Sequence, residues 1–172
     1  MNDLEIFEQW RTVSGFPNYQ VSNVGRVMDV RNGQIQFQTK LKVGYFSVSL
    51  GTDKSSMKYV HHLVAQEFLT KPDDGQRYEI DHKDRNRSNN SVNNLRYATS
   101  SQNKMNIEKR RNTTSTYKGV SLYKRKQLWR ARVFVNGKEK HLGFFSNEKD
   151  AARAYNEAAI EHYGEFALLN DV

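Results

Sequence analysis

The chain has 172 residues, 37% of them hydrophobic and 27% charged, with no cysteine; 27 Lys and Arg face 19 Asp and Glu, for a formal charge of +8 and a pI near 9.6. These figures exclude a disulfide scaffold, a thiol nucleophile and any cysteine-ligated zinc site, and no apolar run approaches the roughly 18 residues of a membrane span. The basic balance favours a polyanionic partner, and the opening Met1-Asn2-Asp3-Leu4-Glu5, without a basic region leading into an apolar one, gives the expectation of a soluble, unexported protein.

In chain order, the first sixty residues predict short strands and turns. Tyr19-Gln20-Val21-Ser22-Asn23 alternates and breaks at Gly25; Arg26-Val27-Met28-Asp29-Val30 follows and breaks at Asn32-Gly33, a dipeptide suited to a tight hairpin. Tyr45–Leu50 is a third alternating run. Val60, Leu63, Val64, Ala65 and Phe68 then fall at helical spacing, and Lys71-Pro72 stops that helix. Residues 73–100 read as mostly turn-forming, with Tyr78-Glu79-Ile80 as a short strand-like run and five Asn between 86 and 94 suited to pinning backbone. Residues 100–110 suit a short polar helix, and 112–116 offer no apolar side chain and read as a linker. Three strands and a helix close the chain. Trp129–Val135 alternates cleanly before the turn Asn136-Gly137; Ser146 or Asn147 caps a helix lined by Ala151, Ala154, Tyr155, Ala158, Ala159 and His162 and ended by Gly164.

Chemistry concentrates around Asp81-His82 at the end of the strand-like run, with Asn86, Asn89, Asn90, Asn93, Asn94 and Asn103 downstream. An imidazole there can accept a proton from water while carboxylate and carboxamide oxygens hold a hard divalent cation, for which Mg²⁺ or Mn²⁺ suits better than zinc. The dipeptide alone does not separate this from two ordinary surface residues. The whole pattern goes further: Val60-His61-His62-Leu63-Val64-Ala65, Ile80-Asp81-His82-Lys83-Asp84, Asn86, Asn89-Asn90, Asn94-Leu95-Arg96 and Asn103 resemble the HNH endonuclease module of phage homing endonucleases. Trp10, Gly15-Phe16, Tyr19–Asn23 and Gly25-Arg26-Val27 resemble the nuclease-associated modular domain that precedes such modules. The resemblance implies His82 as general base, Asp81 and Asn103 as the protein ligands of one divalent metal, and Asn94 as the residue bracing the loop. His61 also matches a family position, where a packed or loop-bracing role stands beside a catalytic one.

Positive charge gathers toward the C-terminus: residues 117–143 hold 8 basic side chains and a single acid. On the run 129–135, Trp129, Ala131, Val133 and Val135 share one face and Arg130, Arg132 and Phe134 the other. The first face suits packing on the alanine-lined helix. The second, with Lys118, Lys124, Arg125, Lys126, Lys138 and Lys140 nearby, suits phosphate contacts and entry into a major groove, against the alternative of a merely solubilising surface. Lys104, Lys109, Arg110 and Arg111 lie on the connecting stretch, either an extended DNA-tracking arm or a passive spacer. Tyr117-Lys118-Gly119-Val120, Trp129–Val133, Leu142-Gly143-Phe144-Phe145, Ala151–Ala159 and Leu168-Leu169-Asn170 resemble the ethylene-response-factor (Apetala-type) DNA-binding domain. Lys118, Ser121 and Tyr123 stand where that family carries target-reading arginines, so the resemblance implies DNA binding and not the plant target site.

The reading is therefore a modular α+β protein. It has a DNA-contacting β-rich domain over 1–58, a ββα-metal HNH module over 59–104, a basic linker over 105–116, and over 117–172 a three-stranded antiparallel sheet packed on one helix. By resemblance it is a phage-type, site-specific homing endonuclease that uses Mg²⁺, or Mn²⁺ in its place, on double-stranded DNA. It would act as a monomer that nicks, in the host cytoplasm, with neither a membrane nor a small-molecule cofactor. Two rivals remain open: a non-cleaving DNA-binding regulator with a decayed nuclease centre, and a structure-selective or RNA-directed nuclease.

Overall fold

In the computed structural model, which describes residues 7–52, 56–109 and 113–172, the alternating runs at the start form an antiparallel meander. Its strands are β1 (Trp10–Val13), β2 (Phe16–Ser22), β3 (Val27–Asp29) and β4 (Gln34–Ile35), paired in that order. Val21 lies opposite Val27 in the ladder, and both are fully buried, as the period of two requires for one face to meet a core. A second small sheet follows, of β5 (Thr39–Lys40), β6 (Phe46–Ser49) and β7 (Met57–Tyr59). The chain then passes directly into α1 (Val60–Phe68), which buries Val60, His61, Leu63, Val64 and Ala65. The hairpin of β8 (Glu79–His82) and β9 (Leu95–Ala98) comes next, followed by α2 (Ser100–Met105).

Strand β9 lies within a stretch that the sequence reads as mostly turn-forming. The Asn-rich run hides it, because Leu95, Arg96 and Ala98 are all buried and leave no simple alternation. The boundary expected near residue 58 does not separate two cores. Val13, Tyr19, Val21 and Val27 of the meander, Val48 of β6, Val60, Leu63 and Val64 of α1 and Leu95 of β9 form one hydrophobic cluster. The chain divides instead into the units Met1–Ser100 and Ser101–Val172.

The second unit is built on β10 (Val120–Tyr123), β11 (Leu128–Val135) and β12 (Lys138–Phe145), antiparallel in sequence order. Asn136 and Gly137 take φ of 51° and 76°, the left-handed pair that a two-residue hairpin needs. Helix α3 (Glu148–Tyr163) is capped by the Asn147 side chain, which accepts from the Lys149 amide at 2.7 Å, and has Glu148 and Asp150 in its first turn. It buries Ala151, Ala152, Tyr155, Ala158 and Ala159. Ala152 thus belongs to the lining, while Ala154 and His162 are only half-buried at its margin. Gly119 is required here: a Cβ would stand 2.0 Å from the Tyr155 ring, and its φ is +74°.

The stretch read as a linker is tied to the second unit where it is described. Thr114 Oγ1 accepts from the Leu122 amide at 3.0 Å, and Ser115 is buried. Polar side chains can dock a segment without apolar surface, which composition alone does not reveal. Arg110 and Arg111 lie outside the described residues. Among the described residues no helix is long and apolar enough to cross a membrane.

Candidate active site and nucleic-acid interface

Strand pairing sets the first site. The β8–β9 register puts Asp81 opposite Arg96 and His82 opposite Leu95. Directly opposed residues share a face, so the Arg96 guanidinium meets the Asp81 carboxylate, with Nε and a terminal nitrogen at 2.9 and 2.8 Å from Oδ2. Both side chains are buried, and the pairing offsets the cost of taking each charge out of water.

The loop between the strands is held by its own amides and carboxylates. Asn94 donates to Asp84 Oδ1 at 2.9 Å and to the Asn89 carbonyl at 2.8 Å, and its Oδ1 accepts from the Asp84 amide at 3.0 Å. Asn89 donates to Asp84 Oδ2 at 2.7 Å. Burial pushes Asp84 up, but the hydrogen bonds from Asn89, the Asn86 amide and Asn94 outweigh it and hold its carboxyl below the usual carboxylate range. This network gives Asn94 the geometry of a loop brace.

His82 is buried and faces Asn90, with Nε2 at 3.4 Å from Asn90 Oδ1. Burial lowers its pKa, and the Asn90 contact and the charges of Asp84 and Asp81 oppose that shift only in part, so the ring is neutral near pH 7. A neutral imidazole is the form that can take a proton. His61 lies against it, ring centroids 5.2 Å apart, and Tyr45 stands 4.7 Å from His61 and 5.8 Å from His82. Burial first, and then His62 and His82, lower His61 to about 3, and its Nδ1 is buried without a hydrogen-bond partner. His61 therefore packs against the His82 ring as a neutral wall.

Asn103 stands on α2, in the second unit. Among the described residues no three His, Cys, Asp or Glu side chains gather as a metal cage. One buried carboxylate, Asp81, oriented by Arg96, with carboxamide oxygens to supplement it, is a donor set that fits a hard divalent cation keeping several of its waters. It does not fit a structural zinc site, which takes four protein ligands, mostly Cys sulfur and His nitrogen.

The second unit carries the cationic face. Lys124, Arg125, Lys126, Lys138 and Lys140 are exposed, as is Lys104 on α2. Arg130 and Arg132, half-buried, share Glu139 of the neighbouring strand. Lys138 and Lys140, expected beside these arginines, instead lie opposite Val135 and Val133 in the ladder and so stand on the helix side of the sheet, where Lys140 Nζ is 3.1 Å from His162 Nε2 of α3. Lys118, expected beside this face, and Lys109, expected to track DNA from the connecting stretch, are both engaged with backbone. Lys109 donates to the carbonyls of Ser115, Tyr117 and Val120 at 2.9, 2.5 and 2.9 Å, and burial lowers its pKa. Lys118 donates to the carbonyls of Met105 and Ile107. Their ammonium groups are spent on backbone carbonyls of the chain itself and not held out toward a phosphate. The same face also holds an aromatic row: Phe144 lies 5.2 Å from Tyr123 and 4.7 Å from His141, and Phe134 is exposed beneath Arg132. Sequence alternation marks Phe134 as outward; Phe144 escapes it because the ladder shifts register between Ala131 and Arg132. Other residues that sequence reasoning left unassigned are Arg96, Asp84, Asn90 and Tyr45, whose roles depend on strand register and loop closure.

Comparison with known proteins finds similarity over segments of both units. Residues 58–105 match the HNH endonuclease family model and residues 8–51 the NUMOD4 motif. The DNA endonuclease I-HmuI of Bacillus phage SP01 is 35% identical over 102 residues, which is 58% of this chain and 56% of that protein. APETALA2-like protein 2 of Oryza sativa subsp. indica is 40% identical over 60 residues, 35% of this chain and 14% of its own, a partial similarity at the C-terminus. A solved structure described as DNA binding and cleavage by the HNH homing endonuclease I-HmuI aligns over 90% of this chain and 91% of that one, at 26% identity and a TM-score of 0.48. The chain thus spans about half the length of the phage relative it matches. The chain is thus similar to the HNH endonuclease family over residues 58–105, preceded by a match to the NUMOD4 motif and followed by a segment with partial AP2-like similarity.

Proposed function

We propose that the chain is a site-specific, metal-dependent homing endonuclease that hydrolyses DNA phosphodiester bonds and nicks as a monomer. The observation that carries this reading is the buried neutral His82 at the end of β8 beside Asp81, inside the segment that matches the HNH family. His82 takes the proton from the attacking water as the phosphorus–oxygen bond forms. Asp81, steadied by Arg96, and Asn103, by resemblance to the family, would hold the divalent ion, Mg²⁺ with Mn²⁺ as a substitute. When bound, that ion stabilises charge on the phosphate and on the leaving 3′ oxygen. The products are a 3′-hydroxyl and a 5′-phosphate.

Double-stranded DNA is held by the outward face of β10–β12 through Arg130 and Arg132, with Lys124, Arg125 and Lys126 of the adjoining turn and Lys104 supplying phosphate contacts. Arg110 and Arg111 belong to the same proposal on sequence alone. Cleavage of a randomised DNA pool with Mg²⁺, with Mn²⁺ and with EDTA, followed by strand-specific end mapping, tests it. Discrete metal-dependent ends on one strand are expected. Binding to a defined sequence without cutting would overturn the nuclease reading in favour of a DNA-binding regulator.

A further inference from the structure

The NUMOD4-matching segment grips the catalytic loop from two sides. On one side is the turn after β2. The Asn23 carbonyl accepts from the Val92 amide at 2.8 Å, and Gly25, at φ +89°, lies so close to Asn90 that a Cβ on it would stand 2.8 Å from Asn90 Cβ. Gln38 fixes that turn by donating to the Gly25 carbonyl at 2.8 Å. On the other side is the turn before β6. The Val43 carbonyl accepts from Arg87 at 3.0 Å and the Gly44 carbonyl from Ser88 Oγ at 3.1 Å, while the Arg87 guanidinium lies 4.9 Å from the centre of the Tyr45 ring. Between these grips sits Asn90, 5% exposed, with its Oδ1 toward His82 Nε2.

An amide oxygen carries no proton, so in that contact Nε2 must be the nitrogen that bears the hydrogen, and the imidazole lone pair is left on Nδ1. We infer that Asn90 is a positioning residue that fixes the tautomer and orientation of the general base, and that the N-terminal motif, through Gly25 and Asn23, holds Asn90 in place to do so. The motif then has a task beyond contacting DNA: it is a structural part of the catalytic centre. Tyr45 belongs to the same device, since its ring limits the rotation of His82 from the other side. The inference rests on the reading of His82 as general base.

The test uses the full chain on a duplex carrying the cut site mapped from the pool, with Mg²⁺, and reads kcat and KM alongside the His82 tautomer by ¹⁵N NMR. Asn90→Leu keeps volume and removes the acceptor. It is expected to lower kcat by about 10- to 100-fold, as loss of a residue that orients a functional imidazole does, with KM within about twofold and a rise in the Nδ1-protonated tautomer. Asn90→Asp keeps an acceptor oxygen and is expected to restore the Nε2-protonated form and most of kcat. Gly25→Ala pushes on Asn90 without touching His82; it carries the same test if Asn90→Leu does not fold, with a smaller fall in kcat and the same tautomer change. Wild-type kcat in Asn90→Leu, or lost kcat with an unchanged His82 tautomer, would overturn the proposal. His82→Ala run in parallel separates the two readings: if it cleaves like wild type, the base assignment fails, while the tautomer spectra still judge whether Asn90 orients the ring.

Discussion

The Met1–Ser100 unit packs valines and leucines from a meander, a helix and a hairpin into one cluster and buries Asp81, His82, Asn90, Asn94 and Arg96 beside it. The Ser101–Val172 unit packs Ala151, Ala152, Ala158 and Ala159 of α3 under its sheet and leaves the opposite face to charge and aromatic rings. The contrast fits the division of labour proposed for the two units. A general base needs a neutral ring and a carboxylate whose surroundings cannot relax, so its polar groups are enclosed and every side of the loop is tied. A nucleic-acid face needs only a flat, exposed platform, and small residues below let helix and sheet approach closely enough to make one. Catalysis is therefore expected to be sensitive to buried residues of the first unit, and affinity to exposed residues of the second.

The largest effect tests the first half of that contrast. His82→Ala should lower kcat by about 100- to 10,000-fold while leaving the dissociation constant for DNA within about twofold, read by single-turnover cleavage and by gel shift on the same preparation. Leu95→Ala empties a site opposite His82 in the ladder and should cost about 2–5 kcal/mol of stability. The two tryptophans make this measurable unit by unit. Trp10 lies in the first and Trp129 in the second, so with one replaced by Phe at a time, the denaturation midpoint seen by Trp10 should fall further than that seen by Trp129.

The second half of the contrast has its own break point. Arg130→Ala with Arg132→Ala should weaken binding by about 10- to 100-fold and reduce the slope of log affinity against log salt by about 2, with kcat at saturating DNA unchanged. A change in kcat instead would erase the division of labour. A milder test is acid. His61 binds a proton near pH 6.5 when unfolded and only near 3 when folded. As pH falls through that window the unfolded chain takes up the proton first, so the contribution of this group is complete above about 6.5 and lost progressively toward 3. His61→Phe should flatten that part of the stability profile, measured by urea midpoints across pH. The smallest effect expected is Asn147→Ala, which removes the cap of α3 at about 1 kcal/mol.

Much of this was legible from residue order. Val60–Phe68 announces its helix by apolar spacing, Asn136-Gly137 its hairpin by backbone preference, and Trp129–Val135 its two faces by alternation, because each signal lies within one element. Strand β9 was not, since Leu95 and Arg96 are both buried, one in the hydrophobic cluster and one on the carboxylate of Asp81. The boundary near residue 58 was not either: motifs mark where similarity ends, while cores form wherever apolar faces meet. Lys109 and Lys118 show the limit most plainly. In sequence they resemble Lys124 and Lys126, and only the positions of distant carbonyls separate a lysine that closes a turn from one open to phosphate.

The sequence by itself determined the chemistry at hand: which side chains can accept a proton, which oxygens suit a hard cation, which run is basic, and which families the motifs resemble. These are properties of residue type and local spacing. Only the tertiary structure decided that Arg96 pairs with Asp81, that Asn90 faces His82, and that a glycine 65 residues earlier in the chain holds Asn90 there. Such contacts depend on strand register and on the closure of distant turns, which the packing of a shared core selects and no local pattern encodes.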